Sequence, residues 1–71
     1  LKKISPSEML QLRELMQMEA NALAMARVTH HVIQDPEFKS LSDAGIKAME
    51  TRIREMQMFI NDHDLIPRGV Q

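Results

Sequence analysis

The sequence predicts an all-α chain, an antiparallel helical hairpin that dimerises into a four-helix bundle. Three observations point there. The composition is dominated by Ala, Leu, Met, Glu, Gln, Lys and Arg, with three Pro and two Gly at positions that suit punctuation. Two helix-start signals are separated by an uninterrupted helical run. The two runs carry apolar stripes that mirror one another about a tight turn.

The first start signal is Ser5-Pro6-Ser7-Glu8. Ser5 suits the cap, Pro6 the first helical position, and Glu8 can reach back to the Ser5 amide as a capping box. Ile4 and Met9 are spaced as a hydrophobic staple. Nothing then breaks the helix before about Ile33, so the first helix is expected over about 6–33, roughly 40 Å long at 1.5 Å per residue. Asp35-Pro36-Glu37 repeats the same grammar and starts the second helix, expected over about 36–61. Ser40, Ser42 and Gly45 weaken its first half, where a break near Ser42 competes with a continuous helix. Pro67 and Gly69 make 62–71 an extended tail. The whole of 1–71 is then one domain with a very short connection at Gln34-Asp35, which makes the helices antiparallel neighbours.

The first helix carries Met9, Leu12, Met16, Glu19, Leu23, Ala26, His30 and Ile33 at alternating three- and four-residue steps. The second is expected to face it with Phe38, Leu41, Gly45, Ala48, Arg52, Met56 and Phe59. Folding at the turn pairs Ile33 with Phe38, His30 with Leu41, Ala26 with Gly45, Leu23 with Ala48, Glu19 with Arg52, Met16 with Met56 and Leu12 with Phe59. Small residues then meet in the middle, large ones farther out, and the seams' acid meets their base. Leu15, Met18, Ala22, Met25 and Val32 flank the first seam on one side and Ala20 on the other. An apolar arc that wide needs more than one neighbouring helix, and a two-fold homodimer is the simplest closed solution.

Size supports this. A chain of 71 residues closes a core with difficulty unless a disulfide, a metal or a partner helps, and it has no cysteine. The formal charge of −1 gives no pull toward nucleic acid or anionic lipid, and two Phe are its only aromatic residues, so no base-stacking platform is expected. No apolar run approaches the roughly 20 residues of a membrane span, and no signal-peptide pattern appears. A chain opening on Leu1 reads as a processed or trimmed piece.

The residues that could carry chemistry are few. Glu19 lies in the middle of the apolar arc. It reads either as a metal-binding carboxylate of a bundle core or as half of a buried ion pair with Arg52, and the pair is favoured. A di-iron bundle needs a further Glu and a Glu-x-x-His on facing helices. The nearest match, Glu50-Thr51-Arg52-Ile53, has Ile where the His would stand. Glu19, Glu50 and His30 are therefore minor metal candidates. His30 and His31 point about 100° apart on a helix, which is poor for chelation. His30 is expected on the seam against Leu41, with His31 facing outward near the helix C-terminus. Asp62-His63-Asp64 could hold a divalent cation weakly, but reads as solvated tail. Seven Met residues could line a pliable groove, though most sit at core spacing. Glu14, Arg27, Lys47, Arg54 and Glu55 read as a solvated face. No nucleophile–base pair, Gly-rich phosphate loop or basic stripe is present, so no enzymatic activity and no cofactor are expected.

The segments Ser7-Glu8-Met9-Leu10-Gln11-Leu12-Arg13-Glu14-Leu15-Met16-Gln17-Met18-Glu19-Ala20-Asn21-Ala22-Leu23, Gly45-Ile46-Lys47-Ala48-Met49-Glu50-Thr51-Arg52-Ile53 and Met56-Gln57-Met58-Phe59-Ile60 resemble the small ferritin-like proteins of spore-forming Firmicutes related to spore coat protein F. The resemblance runs from about Ser7 to Ile60. It implies a helical bundle, an association with spores or their coat, and a cytoplasmic or spore-coat location. In that family setting Glu19 holds the kind of position a metal-binding carboxylate would occupy, while the missing Glu-x-x-His departs from the pattern. The expected function is a non-enzymatic structural or assembly protein, spore coat-like and homodimeric, with other coat proteins as further partners. The alternatives are a degenerate ferritin-like metal-binding bundle and an interaction module that offers its Met-rich face to a helix of another protein.

Overall fold

A computed structural model describes residues 4–63. They form two α-helices, α1 (Pro6–Val32) and α2 (Pro36–Asp62), packed side by side as an antiparallel hairpin, with no strand among the described residues. No helix is long and apolar enough to cross a membrane among these residues. The tail expected over 62–71, including Asp64 of the acidic tripeptide, lies outside the described residues from position 64 onward.

Both helix starts follow the sequence grammar. The Ser5 side chain accepts from the Glu8 N–H at 3.1 Å, and the Glu8 carboxylate accepts from the Ser5 N–H at 2.9 Å, a complete capping box. Asp35 caps α2 by accepting the Phe38 N–H at 2.9 Å, with Pro36 in the first helical position. Between them α1 ends at Val32, and Ile33 turns to extended backbone at φ −77° and ψ 128°. The connection is therefore Ile33 to Asp35. It is one residue longer than expected, because Ile33 leaves the helix to drop its side chain into the core.

The helix α2 runs without a break through Ser40, Ser42 and Gly45. The Ser42 hydroxyl lies 3.0 Å from the His30 Nδ1 across the seam. A serine engaged this way competes less with its own helical backbone, which is its usual liability in a helix interior.

Leu23, Ile33, Ile46 and Ile60 are the buried hydrophobic residues. Around them Leu12, Met16, Ala26 and His30 of α1 and Ser42, Met49, Ile53 and Met56 of α2 are partly covered. The seam expected on α1 is the one observed, from Met9 through Leu12, Met16, Glu19, Leu23, Ala26 and His30 to Ile33.

The α2 seam needs correction. The observed contact stripe is Ser42, Ile46, Met49, Ile53, Met56 and Ile60. Of the expected stripe, Met56 alone belongs to it. Phe38, Leu41, Gly45, Ala48, Arg52 and Phe59 are exposed. The two stripes differ by one residue along the helix, a rotation of about 100°. The cause lies in the side chains. The observed stripe has three isoleucines, whereas the expected one has Gly and Ala at its centre, and large aliphatic groups gain more from burial. The lengthwise register was nevertheless right, because Glu19 does sit beside Arg52.

Candidate protein-protein interface

A two-helix hairpin has two broad open faces, and here they differ in chemistry. On one, α2 presents Phe38, Leu41, Gly45, Ala48, Arg52 and Phe59, which recur at helical spacing. The α1 residues alongside are Leu12, Leu15, Glu19, Ala22 and Ala26. Two shallow grooves run between the helices on this face. One near the turn is lined mainly by Ala26, Ile33, Phe38, Leu41, Gly45 and Met49, with Thr29 and Ser42 as its polar members, and one toward the open end by Leu12, Leu15, Glu19, Arg52, Glu55, Met56 and Phe59. Exposure is high for such residues, 69% for Leu41 and 54% for Phe38. The opposite face is polar along α2, with Lys39, Asp43, Glu50, Gln57 and Asn61 at the corresponding spacing. It carries the Arg27–Glu50 ion pair at 2.8 Å and an i,i+4 pair between Asp43 and Lys47 at 3.2 Å.

At the centre of the apolar face stands the pair that the sequence singled out. Arg52 Nε donates to Glu19 Oε2 at 3.3 Å and Nη2 donates to Oε1 at 3.3 Å, so the two planar groups meet through two parallel bonds. The expectation that this pair is buried does not hold for the single hairpin. The Glu19 side chain is 24% exposed and that of Arg52 50%, and no polar or charged residue is buried among those described. With only two helices present, no third layer lies over the pair.

The three minor metal candidates are not brought together. Glu19 is held by Arg52, Glu50 by Arg27 on the opposite face, and His30 by Ser42. Among the described residues no three acidic, His or Cys side chains gather as a metal site. His30 lies on the α1 seam as expected, but its partner is Ser42 and not Leu41, a consequence of the rotation of α2. His31 is exposed, with its ring edge-on to that of His30 at 6.4 Å. His63 ends α2. Its Nδ1 lies 3.0 Å from the Phe59 carbonyl oxygen, where it can only donate, and its ring stacks on that of Phe59 at 4.0 Å.

Two interactions were not anticipated. Lys39 reaches back over the turn, and its Nζ lies 3.4 Å from the His30 carbonyl oxygen and 3.3 Å from that of Ile33, carbonyls at the end of α1. Arg27 crosses to Glu50, although both read as members of a solvated or outward surface. Opposite charge at cross-helix spacing was the available signal for Arg27. Lys39 had none beyond closeness to a helix end.

No family model, no curated protein and no solved structure matches this chain.

Proposed function

We propose that this chain is a non-catalytic assembly protein whose working form is a homodimeric four-helix bundle, formed by two hairpins meeting through their apolar faces. The observation that carries this is the contrast between the two faces of one hairpin. Phe38, Leu41, Ala48 and Phe59 stand exposed on one side, and Lys39, Asp43, Glu50 and Gln57 occupy the other. Contiguous apolar surface of this kind marks an interface, and a hairpin with so small a buried set gains most from covering it. Closing one face against its own copy ends growth at two chains and leaves to solvent the Arg27–Glu50 side and the outer surfaces, where Met18, Met25, Val28, Val32 and Met58 stand exposed. The resemblance to small ferritin-like spore coat proteins supports a structural role of the spore-coat kind, with other coat proteins as neighbours.

The test has two parts. Sedimentation equilibrium at micromolar concentration is expected to give a particle of twice the 8.2 kDa chain mass. A well-folded helical monomer under those conditions ends the proposal. The coat role predicts that the chain fractionates with the insoluble coat of spores, and recovery wholly in the soluble fraction removes that part alone.

A further inference from the structure

The centre of the apolar face is incomplete in a way that specifies what covers it. A guanidinium has five N–H donors and an ionised carboxylate about four acceptor positions. The Arg52–Glu19 pair uses two of each. Three Arg52 donors and half the capacity of Glu19 remain, on a half-exposed Arg in the middle of a largely apolar face on which Glu55 is the further charged residue of the groove. An uncharged helix laid over them would bury these groups half-satisfied, which is costly. A second copy of this chain would not, because it presents the same acid and base in the same arrangement.

We propose, resting on the homodimer reading above, that the Glu19–Arg52 pairs of two chains join into one closed ring of four alternating charges at the dimer core. In it each Arg52 donates both to its own Glu19 and to Glu19 of the other chain. The ring carries no net charge and uses the donors and acceptors that one chain leaves open. It makes the surface selective for itself: an apolar partner without a matching pair is rejected, and a slipped register separates the charges. Ala22, Ala26, Gly45 and Ala48 are small and lie near the pair on the same face, so the helices of two chains can approach closely enough for the ring to close. A Cβ added at Gly45 would meet nothing within 4 Å in the single hairpin, so that space is open to a second chain.

Charge reversal tests this. Arg52→Glu alone and Glu19→Arg alone each place four like charges in the ring and are expected to weaken the homodimer by roughly 100-fold or more. Mixing the two variants restores two acids and two bases, and native mass spectrometry is expected to show the heterodimer in preference to either homodimer. The gentler pair Glu19→Gln and Arg52→Gln adds no like charge within a single hairpin and serves where reversal disturbs it. Its mixture is expected to hold more heterodimer than random exchange gives. Single variants that dimerise like the wild type, or a mixture at random proportions, overturn the ring. Failure of the wild type to dimerise removes the assembly reading itself, so the two failures are distinguishable.

Discussion

Lys39 stands in the first turn of α2, yet its ammonium lies against the carbonyls that end α1. The last carbonyls of a helix have no partner within it, and a cation there also opposes the negative end of the helix dipole. Lys39→Ala is therefore expected to cost about 0.5–1 kcal/mol, read as a lowered denaturant midpoint with an unchanged slope. Lys39→Arg, which keeps the cation, should lose much less. Equal losses for both would show that the aliphatic stem, not the charge, matters there. At this scale the sequence was legible wherever the partner is local. Ser5 with Glu8 and Asp35 with Phe38 are fixed by three-residue spacing along one helix. The reach of Lys39 back across the turn was not, since it depends on where α1 stops. That stop is set by Ile33 turning into the core.

At the scale of elements, the two helices differ in how clearly they declare their contact face. On α1 one stripe holds large apolar residues near both ends and Leu23 in the middle, and that stripe was read correctly. On α2 two adjacent stripes compete. Ser42, Ile46, Met49, Ile53 and Ile60 form one, and Phe38, Leu41, Gly45, Ala48 and Phe59 form the other. Both have heptad-like spacing, so periodicity alone cannot separate them. The second stripe matches α1 in size and charge, yet the structure buries the isoleucine stripe. The matched stripe is left exposed, and in the proposed dimer it is the surface offered to the second chain. Gly45→Leu distinguishes these uses. It replaces a poor helix former by a good one at a site where an added Cβ meets nothing within 4 Å in the hairpin, so helicity by circular dichroism should hold or rise. Crowding of the dimer interface should meanwhile cost about 1–3 kcal/mol, a dimer affinity at least several-fold weaker. Unchanged affinity would mean that Gly45 remains open to solvent in the assembled protein.

At the scale of the whole molecule, an elongated hairpin with four buried aliphatic side chains and an apolar face beside them is, in the proposed assembly, half of a bundle. The sequence points to that proposed assembly through the width of the apolar arc on α1. It could not show which surface of α2 takes part, because that surface becomes visible only once the other stripe is assigned to the hairpin's own seam. The Glu19–Arg52 pair was found because charge within an apolar stripe is rare. In the single hairpin it is part-exposed, and the proposed dimer would cover it. The most direct check is an isotope-filtered nuclear Overhauser spectrum of a sample mixing labelled and unlabelled chains. Cross-chain contacts are expected from the Phe38 and Phe59 rings and the Leu41 and Ala48 methyls, and none from Lys39, Asp43 or Gln57. Contacts confined to single chains, or arising from the polar face, would contradict the account.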